Sequence, residues 1–194
     1  MTLVSVLMPV RDDLRTLPDC LESIQKQSLK DWELVAVDDG SSDGSGEFLQ
    51  ETAGNDSRIR VLRERPRGIV AALNFGLAAC AGNYVARMDA DDRMRPERLE
   101  TQLAFLQRET QVDFCGSRVE PFTEEGPVSE NVQRYHDWSN SLLTDEEIRR
   151  DLFAESPIMH PTFFGPRKLY EFLGGYLELP WAEDYDFLLR AAHE

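Results

Sequence analysis

Short apolar runs alternating with helically spaced apolar residues predict an α/β domain with a mostly parallel central sheet and helices on both faces. Two observations carry this reading. Three of four short apolar runs end abruptly in Pro or Asp, and three of the segments that follow repeat apolar residues three or four positions apart.

Residues 3–8 form the first run, stopped by Pro9, and Leu14, Leu17, Leu21 and Ile24 follow at helical spacing. Residues 33–37 form a second strand that ends in Asp38, Asp39 and Gly40, and residues 41–45 supply the Ser and Asp that start helices. A third strand covers 59–62, and Ile69, Ala72, Leu73, Gly76, Leu77 and Cys80 then share one helix face. Residues 84–88 make a fourth strand, ending in Asp89, Ala90, Asp91 and Asp92, with Pro96 opening a helix that carries Leu99, Leu103 and Leu106. A fifth strand is expected over 112–115. Residues 116–144 show no clear period, and a stretch that long in a compact domain is functional or hides short strands. Beyond it, 145–153 reads as helix, 162–165 as strand and 183–193 as helix.

The chain has 194 residues, 41% apolar and 29% charged, and is expected to form a single domain over 1–194, with a nucleotide-binding half at 1–115 and an acceptor-side half at 116–194. A formal net charge of -15 argues against nucleic acid as a partner, because such surfaces rely on Lys and Arg to replace counterions. The three cysteines, Cys20, Cys80 and Cys115, are far apart in apolar contexts and indicate neither a disulfide framework nor a zinc site. Reduced thiols, the absence of a signal-peptide pattern at the N-terminus and the absence of an apolar stretch of about 18 residues lead to the expectation of a cytoplasmic protein without a transmembrane segment.

Ligands of open α/β sheets gather at the carboxyl ends of the strands, and two acidic clusters stand there. Asp38 and Asp39 lie side by side in a stretch whose Asp, Ser and Gly also suit an ordinary turn. A carboxylate in that place can accept from a base N–H or a ribose hydroxyl. Asp89, Asp91 and Asp92 are more demanding, since three carboxylates in four residues repel one another unless a cation compensates them. Oxygen-only ligation suits Mg²⁺ or Mn²⁺ held partly by substrate phosphates. A third cluster, Glu183, Asp184 and Asp186, opens the last helix, where the helix dipole alone favours acids.

In this order the segments resemble the family 2 glycosyltransferases with the GT-A fold. The matching residues are 6–10 (VLMPV), 37–44 (VDDGSSDG), 68–77 (GIVAALNFGL), 86–92 (ARMDADD), 160–162 (HPT) and 183–186 (EDYD), which together cover nearly the whole chain. The resemblance implies that Pro9, Arg11 and Asp39 line a nucleotide-base pocket with Asp38 supporting it. It further implies that Asp89 holds the ribose or sugar, that Asp91 ligates Mn²⁺ or Mg²⁺, and that Asp184 is the general base with Glu183 beside it. The implied partners are a nucleotide-sugar donor, UDP-linked by preference, and a saccharide or lipid-linked acceptor of the cell envelope. Peripheral association with the inner face of the membrane stays open, as does continuation of the fold past Glu194.

Transfer from such a donor asks for charge relief at the departing diphosphate and for removal of the acceptor proton; one base on the opposite face implies inversion. His160 is a secondary candidate for the phosphates or the metal. Arg65, Arg67 and Arg87 could neutralise a diphosphate but are read as solvent-facing loop cations, and Trp181 as a core residue more than a sugar platform. A sugar-nucleotide nucleotidyltransferase is the competing enzyme class, although residues 9–13 lack its Gly-rich basic loop. A nucleotide-binding module without catalysis is the non-enzymatic alternative. A dinucleotide-binding dehydrogenase is set aside, because no Gly-x-Gly-x-x-Gly follows a strand.

Overall fold

The computed structural model describes residues 2–123 and 126–193; Glu194 and the acids 124–125 inside the unassigned stretch lie outside the described residues. A five-stranded sheet of order β3-β2-β1-β4-β5 organises the chain. Its strands are β1 (Val4–Val10), β2 (Trp32–Asp38), β3 (Ile59–Arg63), β4 (Tyr84–Arg87) and β5 (Phe164–Pro166). The first four run parallel, and only β5 is antiparallel, pairing with β4.

The apolar runs fold this way because both faces of β1 and β2 are covered. Val4, Val6, Met8 and Val10 pack with Leu34 and Ala36 against helices α1 (Leu17–Gln25), α2 (Ser45–Asn55) and α4 (Arg98–Arg108). Leu7, Val35 and Val37 face the other way, toward α3 (Ile69–Ala79), α7 (Arg167–Phe172) and α8 (Glu183–His193). With all but one position of β1 and β2 buried, the period-two alternation of a half-exposed sheet disappears there. Gly76 lets α3 approach closely: a Cβ there would collide with Leu7 and lie 2.7 Å from a Val37 methyl. Among the described residues no helix is long and apolar enough to cross a membrane.

Several expectations need correction. Residues 112–115 form no strand: the Phe114 ring is drawn edge-on against Phe163 at 4.9 Å, and only Cys115 pairs, in a single antiparallel bridge to Phe164. Residues 160–162 form one turn of 3₁₀ helix, so the strand there starts later, at Phe164. Helix α5 (Glu130–Ser141) occupies the stretch without a period and escaped notice because it buries only Ser139; the Ser129 side chain caps it by accepting from the Val132 N–H. A capping box of Thr144 and Glu147 starts α6 (Asp145–Asp151), which ends two residues before the predicted limit. Helix α7, six residues long, was too short to read. Pro96 precedes the helix start, its carbonyl accepting from Ser28 at 2.8 Å, and α2 begins after Gly44 without a side-chain cap.

Candidate active site

Sheet order decides where a ligand fits. The chain leaves β1 toward β2 and β3, then crosses back to place β4 on the other side of β1. The reversal opens a crevice at the carboxyl ends of β1 and β4, and the acidic clusters stand on its rim.

On the β2 side Asp38 is fully buried, and its Oδ1 accepts the Ser41 N–H at 2.8 Å while Oδ2 lies 3.0 Å from Arg63 Nε. It stands behind the rim as scaffold. Asp39 is buried too, with Oδ1 accepting the Arg67 N–H at 2.7 Å and Oδ2 the Gly68 N–H at 2.9 Å. Arg11, largely exposed, reaches the same carboxylate from β1's end, its Nη1 3.4 Å from Oδ2. Pro9 is half-buried and lies in register with Val37. Residues 11–14 and 41–45 are stitched together: the Asp12 N–H donates to Ser41 Oγ, Asp13 N–H to Ser45 Oγ and Leu14 N–H to Asp43 Oδ2, while Ser42 N–H donates to Asp12 Oδ1 at 2.7 Å. Asp12 takes φ +57° to make this possible, a conformation Asp tolerates better than most residues. The Ser and Asp of 41–45 therefore build the rim, and Asp43 Oδ1 alone among them also accepts an α2 amide, the Ser45 N–H at 2.9 Å.

At the end of β4, ligand oxygens of Asp89, Asp91 and Asp92 lie within 4.8 Å of one another. Asp91 is exposed and the other two half-buried. Burial, followed by the charges of Asp89 and Asp91, raises the Asp92 carboxyl to about 6, against the opposing pull of Arg87 and Arg98. Asp13 joins this group across the crevice: burial and then the charges of Asp91, Asp43 and Asp89 raise its carboxyl, although the Arg11 N–H bond pulls it down. Beneath the cluster, Arg87 is buried at 1% side-chain exposure and pairs through Nη1 with Asp89 Oδ1. It belongs to β4, so it is an internal cation of the site and not a loop residue in solvent. Arg65 and Arg67 are exposed, as expected.

The third cluster closes the far side. Glu183 Oε1 lies 3.8 Å from His160 Nδ1, and Nε2 of that imidazole is 3.1 Å from the Tyr176 hydroxyl. His160 is buried, and burial, then Arg87, hold its pKa well below the usual 6.5. The ring is a neutral strut, with both nitrogens directed at protein groups. Asp184 is half-buried, with Oδ1 accepting the Tyr185 N–H at 2.7 Å, whereas Asp186 pairs with Arg190 Nε at 2.8 Å. Burial raises the Tyr176 phenol; Arg87 lowers it and Asp184, Glu183 and Asp89 raise it further. One side chain thus senses both the second and the third cluster. Trp181 is 58% exposed, contrary to its reading as core.

Asp13 and Asp92 are the residues that sequence reasoning left out of the site. Asp92 was visible as the third acid of its cluster, whereas nothing local marks Asp13. A cleft of about 470 Å³ opens beside Asp91 and Asp92 among Thr16, Phe122, His136 and Met159. A larger one of about 820 Å³ touches the acids only at Asp92. Neither includes Asp39 or Glu183, so the candidate site is marked by the acids and the strand ends and not by cleft size.

Solved structures share this architecture, which is GT-A-like. Residues 1–349 of Staphylococcus aureus TarS superpose with a TM-score of 0.77 at 22% identity, covering 98% of this chain and 55% of that one. The mannosyltransferase PcManGT from Pyrobaculum calidifontis, in complex with GDP-Man and Mn²⁺, gives 0.74 at 24% identity over 97% of this chain and 51% of that one. The family model for glycosyl transferase family 2 matches residues 5–174, and the chain belongs to that family. It is 38% identical over 196 residues to EpsE of Bacillus subtilis (strain 168), a protein named as a glycosyltransferase, covering 98% of this chain and 67% of EpsE. The chain thus spans about two thirds of EpsE and about half of the solved chains it matches.

Proposed function

We propose that this domain transfers a sugar from a nucleoside-diphosphate donor to an acceptor hydroxyl, with inversion at the anomeric carbon. The observation that carries the reading is the meeting of Asp89, Asp91 and Asp92 within 4.8 Å at the end of β4, where the sheet order reverses. Support comes from related structures: TarS has been solved with UDP and with UDP-GlcNAc, and PcManGT with GDP-Man and Mn²⁺. Uridine diphosphate is the preferred donor nucleotide here. Pro9, Arg11 and Asp39 line its base pocket with Asp38 behind them, and Asp89 faces the ribose or sugar.

The acids fit Mn²⁺ or Mg²⁺. Their donors are hard oxygens, and a carboxyl raised to about 6 by burial and like charges marks a crowding that a dication relieves. Asp91, with Asp92 beside it, would hold the ion. When bound, the ion supplies a Lewis acid that offsets charge on the departing diphosphate. On the opposite side Asp184 accepts the proton of the acceptor hydroxyl, and Glu183, 3.8 Å from His160 Nδ1, orients the acceptor. The acceptor is a saccharide or a lipid-linked saccharide of the cell envelope, met at the inner face of the membrane.

Calorimetry of UDP binding in Mn²⁺ and in excess chelator, followed by transfer assays with a panel of nucleotide sugars, tests the reading. Tighter binding in Mn²⁺ and transfer from one donor are expected. Equal affinity in both media, with no transfer from any donor, would overturn it.

A further inference from the structure

Asn74 lies on α3, six residues beyond the Gly68 whose N–H is held by Asp39. Its side chain makes two reciprocal hydrogen bonds across 102 residues: Nδ2 donates to the Tyr176 carbonyl at 2.8 Å, and Oδ1 accepts the Tyr176 N–H at 2.9 Å. This is the pairing a neighbouring strand would offer, supplied by one amide side chain. The chain reaches it through Gly174 and Gly175, both at positive φ (+74° and +73°), and a Cβ on Gly175 would collide with Asn74 Oδ1. The clamp and the double-glycine turn therefore require each other.

What the clamp holds is Tyr176, which is buried between three elements. Its ring stacks on Phe187 of α8 with centroids 4.9 Å apart, and its hydroxyl is 3.1 Å from His160 Nε2. His160 Nδ1 in turn lies 3.8 Å from Glu183 Oε1. Phe187 and Glu183 are one turn apart on the helix that also carries Asp184. From Asp39 to Glu183 the links are hydrogen bonds, a ring contact, a rigid helix and, at the last step, a 3.8 Å contact between the neutral His160 ring and the Glu183 carboxylate.

We propose that Asn74 is a positioning residue that fixes the Glu183–Asp184 helix to the donor-binding half through Tyr176 and His160, so that donor binding at Asp39 steadies the acceptor-side acids. This rests on the proposed transferase reading and adds a coupling that the separate clusters do not require. Misplacing a catalytic group by about 1 Å costs on the order of 10²-fold in rate.

The test compares parent, Asn74→Ala and Tyr176→Phe for UDP affinity in Mn²⁺, for kcat and KM of transfer, and for amide exchange with and without UDP. Tyr176→Phe keeps the ring stack and breaks only the hydroxyl–imidazole link, so it serves even where Asn74→Ala unfolds. The expected result is a UDP Kd within about twofold of the parent and a kcat lower by about 10²-fold. In the parent, UDP slows exchange over both 64–75 and 174–190; in the variants only over 64–75. Parental kcat in a folded variant, or UDP protection of 174–190 that survives both substitutions, would overturn the proposal. A parent that neither binds UDP nor transfers sugar refutes the transferase reading instead. The proposal falls with it, and the loss is recorded separately because it appears before any substitution is made.

Discussion

Asp39 holds Gly68: its Oδ2 accepts the glycine N–H at 2.9 Å, at the start of α3. With the Arg67 N–H on its other oxygen, the carboxylate occupies the helix N-terminus as an anion that the helix dipole favours. Asp39→Ala therefore acts twice. It should weaken metal-free UDP binding and lower unfolding stability, each by about 1.5–3 kcal/mol for a lost charged hydrogen bond. Urea titration and UDP calorimetry on the same variant check this; unaltered binding beside lowered stability would make Asp39 a purely architectural residue.

Asp91 is the exposed member of the β4 cluster, so Asp91→Asn should change stability by no more than about 0.5 kcal/mol. The loss should fall on the metal-dependent part of UDP affinity, leaving affinity in chelator unchanged. Equal Mn²⁺ enhancement in parent and variant would assign the ion to other ligands.

Asp184→Asn keeps the size of the side chain and removes its capacity to take a proton. Turnover is expected to drop by about 10²–10⁴-fold, with donor and metal affinities at parental values. Turnover at the parental rate would move the base to Glu183 or Asp186.

Burial, and then Arg87, hold His160 neutral with a folded pKa well below 6.5. The folded state thus resists a proton that the unfolded chain accepts. The stability carried by the neutral ring is complete above pH 6.5 and is lost as pH falls from there toward the folded pKa. The slope is at most about 1.4 kcal/mol per pH unit. His160→Gln should flatten the acid limb relative to the parent in unfolding titrations above and below pH 6.5. Parallel limbs would show that another group controls it.

Gly46 sits inside α2, where Ala normally stabilises a helix by about 1 kcal/mol. Here an added Cβ would meet Asp38 Oδ2 and lie 2.6 Å from Arg63 Nη2. Arg63 can swing away, but Asp38 is fully buried and tied to Ser41, so the sign reverses. Gly46→Ala is expected to destabilise by about 1–3 kcal/mol, read from the urea midpoint; a higher midpoint would mean that Asp38 relocates.

The first four strands and the helices between them were legible as short, mainly apolar runs, which near-complete burial imposes on β1, β2 and β4, and the positions of Asp39, Asp89 and Asp91 at strand ends followed from those runs. Helix α5 was not, since a helix burying only Ser139 carries no apolar stripe. Arg87 was misread because a charge at a strand's end looks like a loop cation until its partner, Asp89, is seen beside it. Asp13 was invisible because its approach to Asp89 and Asp91 is made by sheet order, across nearly 80 residues of chain. The expectation of a fifth strand at 112–115 failed where Phe114 found better packing than pairing.

The placement of β1 at the middle of the sheet has a consequence for how the chain assembles. One edge of β1 is paired by β2, its neighbour in sequence, with Val4 opposite Trp32. The other is paired by the more distant β4, with Val4 opposite Tyr84, and β4 in turn by β5. Until β4 docks, a seven-residue apolar strand presents open N–H and C=O groups, the template on which unrelated chains add. The slow step of refolding is therefore expected to be the late docking of β4, with yield falling as protein concentration rises. Pulse-labelled exchange showing β1–β2 amides protected before those of β4 would support this order, and simultaneous protection would refute it.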